Sequence, residues 1–371
     1  MRKNPLLSSA VCVLLSIAVA TPAAAHSPGT RLSMLGADVS SLEHSEDLGG
    51  AYYYENGKQA DALQILKSHG VNYIRLRAWV DPSNGYNDKA SVLEMAKRAR
   101  AKGMKFYLNL HYSDRWADGA HQTKPAAWAG HTFEQLQSDV YDYTYDMCVS
   151  LKRQGTPASM ISIGNEIQSG MLWPEGSTWD WTKLGALLKQ GYDAVKACDR
   201  HALVMLHLAD GGDNNLYRTW FDNAVAHGVK FDVIGLSYYG IWHGPIAALQ
   251  ANMNDVAARY GKPVVVAETA YPWTLGWNDN EGNVCCYESQ LQEGYPATPE
   301  GQRANLRDVL QAVRDVPGGK GLGAFWWEPT WTAVPGNGWD PDNPASGDSW
   351  ENMTLFDFAS HALPAMSEFR P

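Results

Sequence analysis

The sequence predicts an α/β protein built as a single (β/α)8 TIM barrel with long loops after the seventh and eighth strands. Three observations carry this. Eight short runs are apolar and rich in β-branched residues, helical patterns separate them, and polar or acidic residues collect at the C-terminal end of the runs. Near-continuous apolar strands separated by helices belong to a parallel sheet covered on its outer face, and eight such units suit a closed barrel. An open doubly wound sheet is the alternative, but no glycine-rich phosphate loop follows the first run.

In chain order the runs are LSMLGADV (32–39), VNYIRLRAW (71–79), MKFYLNLHY (104–112), MISIGNE (160–166), ALVMLHLAD (202–210), FDVIGLSYYG (231–240), KPVVVAET (262–269) and GLGAFWWEP (321–329). Between them, 88–102 reads as a helix capped by Asp88 and stopped by Gly103. The stretch 133–154 reads as another, apolar at Leu136, Val140, Tyr143, Met147 and Leu151. The segments 271–301 and 329–353 are too long and glycine-rich to be plain connections, and they follow strands at the end where barrels build their sites.

Ahead of the first run, residues 1–25 have the three parts of a secretory leader: Arg2 and Lys3, an apolar run, and the small-residue ending PAAAH. We expect cleavage after Ala25, a mature barrel domain over 26–371, and a secreted or periplasmic protein. No stretch reaches the about 18 apolar residues that a membrane helix needs. Lys and Arg total 30 against 40 Asp and Glu, a net charge of −10 that disfavours nucleic acid and anionic membranes, so a neutral ligand and a monomer are expected. Once Cys12 leaves with the leader, Cys148, Cys198, Cys285 and Cys286 remain in an oxidising compartment, with Cys148–Cys198 the favoured pairing.

The run ends place Asp38, Arg75, Arg77, His111, Asp114, Asn165, Glu166, Asp210, Tyr238, Glu268, Trp326 and Trp327 toward one mouth. Glu166 and Glu268 stand out because each closes an apolar strand, where an unpartnered carboxylate costs several kcal/mol or takes up a proton. Paired with the arginines of the second run, two such glutamates could simply fasten the mouth. Facing each other across a cleft, they are the machinery of a retaining glycosidase. The 15 tryptophans sharpen the ligand class, since Trp116, Trp173, Trp273, Trp326, Trp327 and Trp331 fall in or near the mouth, where indole stacks on the apolar face of a sugar. Trp128 and Trp220 read as core. His111, His207 and His243 lack paired-ligand spacing for a catalytic metal, and no Gly-x-Ser-x-Gly elbow occurs near a strand end.

With these residues in view, the chain resembles glycoside hydrolase family 53, the endo-β-1,4-galactanases acting on type I arabinogalactan of pectin. The motifs are GADVSSLE, IRLRAWVDP, LNLHYSDRWADGAHQTKPAAW, ISIGNEIQSGMLWPEG, HLADGG, SYYG, VVVAETAYPWT, FWWEP and WENMTLFDF, in order from about residue 34 to 358. The resemblance implies Glu166 as acid/base and Glu268 as nucleophile, and Asn165 bonded to the sugar 2-hydroxyl. Arg75 and Tyr238 would hold the nucleophile, although Arg77 shares the parity of Arg75. Trp327 would floor the subsite of bond cleavage, with His111, Asp114, Trp116 and Asp210 lining the flanks. It implies no cofactor for catalysis, but a structural Ca2+ on the loop after the seventh strand, where TLGWNDNEGN offers Asp279, Glu281 and Asn283 while Trp277 stands at the first ligand position. The alternatives are a barrel of the same kind cutting mannan, xylan or β-glucan, and a non-catalytic carbohydrate-binding barrel.

Overall fold

The computed structural model describes Met1 and residues 31–370, so the leader expected over 1–25 lies, beyond Met1, outside the described residues. Eight parallel strands close the barrel: β1 (Met34–Asp38), β2 (Tyr73–Ala78), β3 (Lys105–Leu110), β4 (Met160–Ile163), β5 (Leu203–Leu208), β6 (Val233–Ser237), β7 (Val264–Thr269) and β8 (Gly321–Trp326). Each pairs with its neighbours in sequence, and β1 closes against β8 from Met34 opposite Gly323 to Ala37 opposite Trp326. All eight expected runs are therefore strands.

Among the described residues eight α-helices surround them: α1 (Leu42–Asp47), α2 (Ala62–Ser68), α3 (Lys89–Ala101), α4 (Phe133–Arg153), α5 (Trp181–Cys198), α6 (Asn214–Ala226), α7 (Ile246–Tyr260) and α8 (Pro299–Arg314). Their starts follow capping chemistry. Asp88 accepts from Ser91 N at α3, Thr132 and Gln135 form a reciprocal capping box at α4, and Thr298 accepts from Gly301 N ahead of Pro299. The disulfide Cys148–Cys198 joins the end of α4 to the end of α5, while Cys285 and Cys286 are free thiols. Among the described residues no helix is long and apolar enough to cross a membrane.

Strand alternation sorts the core into two layers. Outward residues such as Leu35, Ile74, Leu108, Ile161 and Val266 pack against the helices. Inward ones fill the barrel floor, where Met34, Tyr73, Tyr107, Met160, Met205, Val233, Val265 and Phe325 form a separate cluster. The Phe325 ring occupies the space opposite Gly36, where an added Cβ would sit 2.1 Å from the ring, so only glycine fits there.

One irregularity positions the site. Val266 of β7 pairs with Leu236, but the next partner of β6, Ser237, is Glu268. On the other side Val266 pairs with Ala324, and Thr269 with Trp326. Strand β7 thus carries one extra residue against both neighbours, a bulge at Ala267. Val265 and Ala267 already face the interior, so strict alternation would send Glu268 outward, and the bulge turns it back to the axis.

Candidate active site

Above the floor, the inward residues become polar. Arg75 of β2 lies at the centre, 1 % exposed, and donates to three partners: Asp38 of β1, Asn165 Oδ1 at 2.8 Å and Glu268 Oε1 at 2.6 Å. The other oxygen of Glu268 accepts from Tyr239 Oη at 2.7 Å. Arg77, two residues on, turns to a different carboxylate and pairs with the buried Glu328, which also accepts from Ser41 Oγ at 2.5 Å. The choice left open by strand parity is thereby settled: Arg75 serves Glu268 and Arg77 serves Glu328.

Tyr238 is a correction. Its hydroxyl donates to Gly244 O and accepts from Gln292 Nε2, both at 2.8 Å, so Tyr239 is the tyrosine on Glu268. The reason is local, because β6 ends at Ser237 and parity counted along the strand does not extend past that end.

Glu166 stands at a sharp turn. Residues just past four strand ends, Tyr112, Glu166, Asp210 and Glu328, have φ of 51°, 49°, 54° and 49°, a left-handed setting that costs a non-glycine residue about 1–3 kcal/mol each. The turn at Glu166 is over-determined by its surroundings: Gln122 Nε2 donates to Asn165 O at 2.9 Å and Trp220 Nε1 to Ile167 O at 3.0 Å. Carboxylate oxygens of Glu166 and Glu268 and a ring nitrogen of His207 lie within 4.8 Å of one another.

The electrostatics separate the two glutamates. Burial, then the charge of Glu268, pushes Glu166 up to about 8. Burial also raises Glu268, but Arg75 and the Tyr239 hydroxyl both pull it back. Since Arg75 touches Glu268 and not Glu166, Glu268 ionises first and its charge keeps the proton on Glu166.

Glu166 and Glu268 share a cleft with Arg77, His111, Trp116, Asp118, Asn165, Tyr239, Trp242, Trp327 and Trp350. His111 is buried and held neutral, pushed well down by burial and then by Arg75 and Arg77. Its Nδ1 accepts from Ala117 N and Trp79 Nε1, which puts the ring proton on Nε2, directed at the Asn109 amide oxygen 3.3 Å away. Beside Trp116 and Trp327 lies a second aromatic hollow with Trp331, Trp339 and Trp350. Arg77 lies 4.2 Å over the Trp116 ring, and Trp116 stacks on Trp331 with centroids 6.0 Å apart.

Other expected residues take different places. Asp114 does not line the cleft, because its oxygens accept from Asp81 N at 3.0 Å and Ala126 N at 2.8 Å and so fasten the loop after β3. Asp210 pairs with His243 at 3.3 Å in an adjoining hollow. Trp326 is buried, donating to Met353 O, and Trp273 packs on Phe358 away from the cleft. Trp128 and Trp220 are core. Asp118, Tyr239, Trp242, Glu328 and Trp350 were not singled out from the sequence. Tyr239 and Glu328 lay one residue from positions that were, while Trp242 and Trp350 come from loops without periodicity.

The loops after β7 and β8 meet over the mouth. Trp273 N donates to Asn352 O, Val284 N to Ser349 O and Asp348 N to Asp279 Oδ2, while Glu351 accepts from Asn278 N. Three oxygens here, Asn283 Oδ1, Asp348 Oδ2 and Glu351 Oε2, are buried with no donor. Glu281 lies against Gly347, and Trp277 is 54 % exposed.

Two carboxyls at this separation, one held ionised by arginine and the other keeping its proton, give the class of the protein: a barrel glycoside hydrolase. Comparison with known proteins gives the family. The chain belongs to glycosyl hydrolase family 53, whose model matches residues 34–369. It is 37% identical to an endo-beta-1,4-galactanase of Bacillus subtilis over 90% of this chain and 85% of that one. With an arabinogalactan endo-beta-1,4-galactanase A of Aspergillus niger it shares 35% identity over 95% of each. Among solved structures, the GH53 catalytic domain of Ignisphaera aggregans superposes with a TM-score of 0.88 at 38% identity, covering 92% of this chain and 97% of that one. The catalytic core of xylanase A, at 13% identity and a TM-score of 0.58, shares the fold alone.

Proposed function

We propose that the protein is a retaining endo-β-1,4-galactanase that cuts the galactan side chains of type I arabinogalactan, with Glu268 as nucleophile and Glu166 as acid/base. The asymmetry of the pair carries the reading: two carboxyls within 4.8 Å, only one of which has Arg75. That closeness suits a retaining pair, whereas an inverting enzyme keeps its carboxyls about 6.5–9.5 Å apart. The substrate follows from the relatives, which are named for galactan, and the tryptophan-lined cleft suits a neutral polymer of sugar rings.

In the first step a Glu268 oxygen attacks the anomeric carbon as the bond to the leaving oxygen breaks, and Glu166 gives that oxygen its proton. In the second, the Glu166 carboxylate takes a proton from water, whose oxygen displaces Glu268 from the same carbon. Two inversions give retention, and both side chains return to their starting states. Asn165, fixed by Arg75 and by its own bond to Ala117 O at 2.8 Å, stands beside the acid for the sugar 2-hydroxyl, and Trp327 floors the reacting ring.

The two mouth loops fit a structural Ca2+. The unpartnered oxygens of Asn283, Asp348 and Glu351 lie in the same two loops as Asp279 and Glu281, an oxygen-only donor set of the kind a hard cation takes, and two of the five come from the loop after β8. Its part would be to tie the loops together. The leader supports export, and the acidic charge balance disfavours nucleic-acid and anionic membrane partners.

Reducing-end release from galactan, mannan, xylan and β-glucan tests the reading, with proton NMR of the first-formed anomer. Galactan should be cut fastest with the β anomer first, and Glu166→Gln or Glu268→Gln should lose several orders of magnitude in turnover with an unchanged circular dichroism spectrum. Preference for another polymer would move the enzyme to that substrate, and an α first product would overturn the double displacement.

A further inference from the structure

His207 of β5 and Ser237 at the end of β6 are both fully buried, and the reaction above uses neither. They are neighbours across the sheet, where His207 pairs with Gly235, and His207 Nε2 lies 2.8 Å from Ser237 Oγ. His207 Nδ1 is buried with no partner. The same ring has a nitrogen within 4.8 Å of an oxygen of Glu166 and of Glu268, and the Ser237 hydroxyl beside it works to lower Glu166 against the upward push of burial.

A hydroxyl has one proton to give. Were Ser237 to donate to His207 Nε2, the ring would carry its own proton on Nδ1, leaving a buried N–H with nothing to receive it, the rarest kind of unpaired group. With the proton on Nε2, His207 donates to Ser237, the stranded atom is only a lone pair, and the Ser237 proton is free for Glu166. Burial and the charge of Arg75 keep the ring from taking a second proton. We propose that His207 and Ser237 form an uncharged relay, His207 Nε2–H to Ser237 Oγ and Ser237 O–H to the Glu166 carboxylate, that positions the acid/base and favours its ionised form.

The inference rests on the assignment of Glu166 as acid/base, and it addresses a difficulty in the second step. Glu166 must then work as a carboxylate in a site whose burial favours the acid, and the relay supplies a donor that costs no added charge. Five other groups face Glu166: Glu268 of β7, Asp118 beyond β3, Arg75 of β2, Tyr239 beyond β6 and Tyr217 of α6. The substitutions below leave all five in place.

The test is a carbon-13 NMR titration of glutamate-labelled protein, with Glu166 assigned through Glu166→Gln, alongside the pH profile of galactan hydrolysis. Ser237→Ala should raise the Glu166 midpoint by about one unit, and the basic limb of kcat/KM should follow. His207→Phe should move both the same way, and Ser237→Thr should restore the wild-type values. Should the alanine protein fail to fold, Ser237→Cys keeps the volume with a much weaker donor and serves in its place. A folded variant without the hydroxyl whose midpoint stays or falls overturns the relay, even where kcat drops at every pH. If the midpoints move as stated but the wild type leaves galactan intact, the substrate assignment fails and the relay stands.

Discussion

At the scale of single residues, the site is organised by which carboxylate has a cation. Arg75 engages Asp38, Asn165 and Glu268 at once, so the Glu268 carboxylate is held rigidly and its charge is compensated. Tyr239 completes the hold, and removing its hydroxyl takes away a donor that lowers Glu268. We expect Tyr239→Phe to cut kcat by about a hundredfold and to shift the acid limb of kcat/KM to higher pH, with Tyr238→Phe leaving that limb where it is. An equal shift in both variants would refute the assignment. This pair also marks the limit of what sequence discloses. Glu166 and Glu268 were legible because a carboxylate closing an apolar run demands a partner, and Trp116 and Trp327 because indole at a barrel mouth has few other uses. Tyr238 and Tyr239 were not separable, because the strand ends one residue before them and the alternation that ranks side chains ends with it.

At the scale of elements, all eight strands and the bounds of α3 and α4 were readable from apolar period and capping residues, since those signals are local. The meeting of the two mouth loops was not, because its bonds join residues some 70 positions apart, such as Asn278 with Glu351 and Asp279 with Asp348. The favoured cysteine pairing is present: Cys148–Cys198 ties α4 to α5 and closes a span of 50 residues containing β4 and Glu166. Loop-closure entropy for that span is worth roughly 4 kcal/mol. Cys148→Ser combined with Cys198→Ser should therefore lower the free energy of unfolding by about this amount. An unchanged denaturation midpoint would show that the bridge adds nothing to stability.

At the scale of the whole molecule, an unusual number of carboxyls are buried with raised affinity for protons. Burial pushes Glu351 and Glu328 each up to about 7, and Asp348 and Glu268 upward as well. A folded state that binds protons more tightly than the unfolded chain is favoured in acid, so this contribution is whole below pH 4.5 and drains away as pH rises through about 7. Melting temperature without added metal should fall across that window. Millimolar calcium should recover the share due to Asp348 and Glu351 and none of that due to Glu328, which is paired with Arg77. Glu351→Gln should flatten the metal-free curve, and a calcium effect that survives both Glu351→Gln and Asp348→Asn would place the ion elsewhere. The extra residue in β7 has a consequence of another kind. Shortening that strand by one residue at Ala267 would return Glu268 to the outward side of β7 with its identity unchanged, and its carboxyl would project among the surrounding helices instead of into the mouth. In the seventh strand the count of residues, as much as their identity, is what chemistry requires.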